Sequence, residues 1–113
     1  MEENKKDRFE RIDRGEVFYL KNLSITLVVI SNKLHNLFSD FLVFNLLTDK
    51  SVERVHDSLE LAFKLKEKKL KILVSCFYTL KKKTLQKWGV FLGKLDKKVT
   101  EQLNNKIRSI LDL

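Results

Sequence analysis

The chain has no proline, only three glycines (Gly15, Gly89 and Gly93) and one cysteine among its 113 residues. That composition excludes a collagen-like repeat, a Pro/Gly linker and a turn-rich β-sandwich, which needs frequent turn residues. The single Cys76 cannot build an intramolecular disulfide framework. No uninterrupted apolar run exceeds four residues, whereas a membrane-spanning helix needs about 18. A span over residues 17–47 would also carry Lys33, His35 and Asp40 near the bilayer middle at high cost. The first fourteen residues are dense in charge of both signs, unlike a secretory signal with its apolar core. The expectation is a soluble, cytoplasmic protein with no membrane partner.

The usual reactive groups are also scarce. There are two histidines, His35 and His56, and they form no Ser/His/Asp or Cys/His signature. His56, Asp57 and Ser58 are consecutive, so on a helix they would point about 100° apart and could not converge on one atom. His35, His56 and Cys76 are the only soft ligand candidates and lack H-x₃-H or C-x₂-C spacing. Gly89 and Gly93 are four residues apart, but no Lys-Ser/Thr follows as a phosphate-binding loop requires. The sequence therefore predicts no catalytic residues, no metal, no cofactor and a protein that is not an enzyme.

What the chain does have is apolar content and lysine. Hydrophobic residues make up 43% and charged residues 34%, with a net charge of +8. Length and composition suit one domain, assigned to residues 16–113 and preceded by a charged arm or short helix over 1–15. Charges cancel over residues 1–50, whereas Lys64–Lys98 holds twelve lysines opposed only by Glu67 and Asp96. Clustered lysine attracts polyanions, and it also serves simply to solvate an apolar protein.

Leu20, Leu23, Leu27, Ile30, Leu34, Leu37, Phe41 and Phe44 recur at alternating steps of three and four, the seam of a long or coiled-coil helix. The β-branched run in Ser24–Ser31 offers a strand alternative, but the seam continues on both sides and favours helix. After a break at Asp49-Lys50-Ser51, with Ser51 as N-cap, Val52, Val55, Leu59, Phe63, Leu70, Leu73, Phe77 and Leu80 form a second series. It skips the turn at residues 66–67. Lys71–Tyr78 is the local strand alternative, and its lysine-rich flanks lack turn residues. Trp88, Leu92, Leu95, Val99, Leu103, Ile107 and Ile110 or Leu111 form a third series. These series predict an all-α fold, an antiparallel bundle of three to four long helices completed by self-association.

On that projection, Lys64, Lys68, Lys71 and Lys82 lie along one stripe, extended by Lys81 and Lys83. These six are the phosphate-contact candidates, able to follow a nucleic-acid backbone without sequence preference. The apolar girth of the first helix points to a dimer, with Leu20, Leu27, Leu34, Phe41, Gly89 and Gly93 as self-association candidates. The leading expectation is a non-enzymatic helical-bundle interaction protein that engages itself and a protein partner. The alternative is an accessory nucleic-acid-binding protein.

Overall fold

The first two series, read above as helices, fold mainly as strands. The computed structural model describes residues 11–111, so most of the arm expected over 1–15 lies outside the described residues. β1 (Glu16–Leu20), β2 (Ile25–Val29), β3 (Phe41–Thr48), β4 (Glu60–Leu65), β5 (Lys68–Lys81) and β6 (Gly89–Lys94) form the sheet. The three helices described are α1 (Lys33–Phe38), α2 (Lys82–Trp88) and α3 (Lys97–Leu111). The six strands pair antiparallel in the order β4-β5-β3-β2-β1-β6, curled as a half-barrel. The all-α bundle and its coiled-coil seam are thereby overturned.

The centre of the sheet, β1 to β3, is buried on both faces, and successive residues of these strands feed different cores. Val17, Val28, Ile30 and Leu47 join one cluster with Leu61, Phe63, Leu70 and Ile72, roofed by Leu95, Val99, Leu103, Ile107 and Ile110 around α3. Phe18, Leu20, Leu27, Val29, Leu42 and Phe44 join the other, closed by Ile12 and by Leu85 of α2. Both sides of the pleat are thus apolar in β1, β2 and β3, which is why no hydrophobic-polar alternation marks those three, whereas β4 alternates buried and exposed residues.

Turns form without the usual turn residues. Leu65 pairs with Lys68 across a two-residue loop, Lys66 and Glu67, whose φ angles are +50° and +74°. Positive φ at both positions is the signature of a type I′ hairpin turn, normally filled by Asn-Gly. Ser24 and Ser51 are also left-handed, at φ +52° and +54°, so Ser51 shapes a turn and caps no helix. The cap the sequence does supply is Asn32, whose side chain accepts the His35 N–H at the start of α1.

Two irregularities tune the sheet. Between Asn45 and Leu46 the register jumps, with Asn45 opposite Phe77 and Leu46 opposite Leu73, so Val74, Ser75 and Cys76 bulge from β5. Asn45 is fully buried and bridges the bulge, its Nδ2 donating to Val74 O at 3.0 Å and Cys76 O at 3.1 Å. Cys76 is half-buried there. A second register shift in the β1–β6 pairing precedes Gly93. Leu65 of the far edge strand packs against Gly93, 3.1 Å from where a Cβ would stand. The two sheet edges therefore meet at a residue with no side chain.

Candidate nucleic-acid interface

Strand order brings together residues that are far apart in sequence. A groove of about 590 Å³ is lined by Tyr19 of β1, Ser24 of the β1–β2 loop, Thr26 of β2 and Thr48–Lys50 at the end of β3. Lys68 and Leu73 of β5 and Val90 and Leu92 of β6 complete it. Its lining combines apolar side chains such as Ile25, Leu46, Leu70 and Leu73 with hydroxyls and charges. The volume lies within the range of small-ligand sites, enough for a nucleotide or two and far too small for a duplex.

The charged end of the groove is built locally. The chain leaves β3 at Thr48, and Thr48 Oγ1 accepts the Lys50 N–H at 3.1 Å. That bond closes a tight side-chain-to-backbone turn with Asp49 at its centre. Across it, Lys68 Nζ lies 3.6 Å from Asp49 Oδ2, with both side chains more than half exposed. Such a pair is only weakly held, so either group is free to exchange its partner for a bound one. Among the described residues, no three His, Cys, Asp or Glu side chains gather as a metal site would require.

The lysines singled out in the sequence do not form a stripe. Lys64 is exposed on β4, paired across the hairpin with Lys69. Lys68 lines the groove. Lys71 is buried, donating to Arg54 O at 2.9 Å and to Glu60 Oε1 at 3.1 Å, so its ammonium joins the β4–β5 hairpin to the preceding loop. The carboxyl of Glu60 is held below its ordinary range, first by the His56 backbone N–H and then by Lys71.

Lys81, Lys82 and Lys83 line a different recess, of about 370 Å³, with Asp40 and Phe41. Lys81 Nζ stands 5.9 Å from the Phe41 ring centre, within reach of a cation–π contact. The residues sequence reasoning missed are Ser24, Thr48, Asp49 and Lys50. Their only signal was the break in apolar spacing at Asp49-Lys50-Ser51, which is a turn.

The proposed self-association residues are scattered as well. Leu20 and Leu27 are fully buried within the chain's own second core. Gly89 packs against Leu85, and Gly93 against Leu65. Leu34 and Phe41 are exposed. Among the described residues, no helix is long and apolar enough to cross a membrane.

No family model matches the chain, and no curated protein matches it. Solved structures do resemble it. An endoribonuclease from a mycobacterial species superposes with TM-score 0.76 and 20% identity, over 91% of this chain and 93% of that one. An endoribonuclease in complex with its cognate antitoxin, also mycobacterial, gives TM-score 0.76 and 19% identity, over 90% of this chain and 96% of that one. A MazE–MazF structure from Deinococcus radiodurans gives TM-score 0.73 and 15% identity, over 90% and 96%. At this identity the likeness establishes the fold. It also overturns the helical bundle on which the expectation of a non-enzymatic adaptor rested, and the similar structures include endoribonucleases.

Proposed function

We propose that the chain is an endoribonuclease that takes single-stranded RNA into the groove between Tyr19, Thr48 and Lys68. The observation that carries this reading is the cationic end of the groove, with Lys50 and Lys68 beside Thr48, on a fold shared with endoribonucleases. The two ammonium groups hold phosphates, and the apolar lining receives unstacked bases, the usual combination for single strands. Lys64, Lys81, Lys82 and Lys83 lie outside the groove and extend the positive field along which a strand approaches. Lys71 serves the fold.

The reading places its action in the cytoplasm, with two kinds of protein partner. One covers the groove, as suggested by the similar endoribonuclease that is found with an antitoxin. The other is a second copy of the chain. β4 pairs with β5 only over residues 68–73, so the outer edge of Ser75–Lys81 has no strand beside it among the described residues. Phe77 and Tyr78 are exposed on this segment, and edge strands of this kind readily pair with a second chain.

The test uses the purified chain and end-labelled single-stranded RNAs of mixed sequence. Discrete fragments are expected, with affinity falling steeply as salt rises and weakened by Lys50→Ala and Lys68→Ala. Failure to cut any RNA sequence overturns the proposal.

A further inference from the structure

We infer that Asp49 is the general base and Lys68 the general acid of RNA cleavage in this groove, an inference that rests on the ribonuclease reading. The polar side chains lining the groove are Tyr19, Ser24, Thr26, Thr48, Asp49, Lys50 and Lys68. Hydroxyl and ammonium groups are hydrogen-bond donors, and no imidazole lines the groove among the described residues. Among the described residues lining the groove, Asp49 alone offers a carboxylate able to accept a proton. The Thr48 Oγ1 bond to the Lys50 N–H holds the turn that presents it, which makes Thr48 a positioning residue. Lys68, 3.6 Å from that carboxylate, is the cation already coupled to it.

The scissile phosphate enters between the two groups and replaces their mutual contact. Asp49 takes the proton from the ribose 2′-hydroxyl, and the 2′-oxygen forms a bond to phosphorus. The bond from phosphorus to the 5′-oxygen breaks, and its electron pair stays on that oxygen, which takes a proton from Lys68 Nζ. The products are a 2′,3′-cyclic phosphate and a 5′-hydroxyl end. Asp49 then returns its proton to Lys68 when the ion pair reforms, so no further reactant is consumed. Lys50 remains charged throughout and stabilises the negative charge that builds on phosphorus.

The experiment measures single-turnover cleavage of a labelled RNA by wild type, D49N, D49E and K68A, with product ends identified and RNA affinity measured in parallel. D49N is expected to cut about 100- to 10,000-fold more slowly, the usual worth of a positioned general base. It should bind RNA at least as tightly, because a negative charge has left the groove. D49E should recover part of the rate. The wild-type pH–rate profile should show an acid limb that D49N lacks, and an RNA with a 2′-deoxy residue at the cut site should stay intact.

Cleavage by D49N within about threefold of wild type overturns this assignment and leaves the ribonuclease reading standing. Fragments ending in 5′-phosphate do the same. A wild-type protein that binds RNA and never cuts it overturns both.

Discussion

Asn45 is the side chain on which the register of the long strands depends, and its replacement gives a sharp test of the fold. Its Nδ2 supplies the hydrogen bonds that Val74 O and Cys76 O cannot obtain inside the bulge, one of them fully buried. Asn45→Ala removes two bonds of about 1 kcal/mol each and leaves a buried carbonyl at a cost of about 1–3 kcal/mol. Against this, Asn45 Oδ1 is itself buried without a hydrogen-bond partner among the described residues. Removing it recovers about 1–3 kcal/mol. The net loss is about 1–3 kcal/mol.

Asn45→Asp is worse although nearly isosteric. It sets oxygens against two carbonyl oxygens at a site with no exposure, and even a protonated acid has one donor where two are needed. Its loss should be about 3–5 kcal/mol, a large share of a domain stability of about 5–15 kcal/mol. Urea denaturation followed by circular dichroism and Trp88 fluorescence reads both variants as shifts in midpoint at constant slope. A D variant no less stable than the A variant refutes the donor argument. An A variant indistinguishable from wild type refutes the bridge.

Three further outcomes follow from the same fold. Replacing Lys66-Glu67 by Asn-Gly should stabilise the chain by about 1 kcal/mol, since both positions are left-handed; an unchanged or lower urea midpoint contradicts the turn assignment. Gly89→Ala would place a Cβ 2.5 Å from Leu85 O and 2.8 Å from Leu85 Cδ1. A loss of about 1–3 kcal/mol is expected, visible as a lower melting temperature, and an unchanged melting curve rejects the close packing of α2 on β6.

Glu60 has a lowered pKa, caused first by the His56 N–H and then by Lys71. A depressed carboxyl adds stability above its unfolded value and loses it as pH falls through the folded one. The urea midpoint of wild type should therefore fall on acidification below the ordinary carboxylate range more steeply than that of Glu60→Gln. Parallel curves would remove Glu60 from that role.

The helical reading failed at identifiable residues. Leu20 and Leu27 share a core but sit on neighbouring strands, whereas Leu23, Leu34, Leu37 and Phe41, from the same apparent seam, are exposed. Steps of three and four arose by coincidence in a segment where a two-sided sheet demanded apolar residues at nearly every position. The strand alternatives over Ser24–Ser31 and Lys71–Tyr78 were visible in their β-branched content. What suppressed them was the absence of glycine and proline between strands, because left-handed serine, lysine and glutamate make those turns. The gap in the second series at residues 66–67 was the tip of a hairpin.

By itself the sequence determined what composition and local periodicity control. It settled the surplus of lysine in the second half, a chain of single-domain size, and the spacing of Val99, Leu103, Ile107 and Ile110 on one packed face of α3, whereas Trp88, Leu92 and Leu95 of the same series lie outside that helix. Only the tertiary structure decided which lysines meet a groove and which are consumed by the fold. Tyr19, Thr26, Asp49, Lys68 and Val90 become neighbours through the strand order β5-β3-β2-β1-β6. Strand order is set by long-range pairing and by the burial of two faces at once, and neither leaves a trace in the spacing of nearby residues.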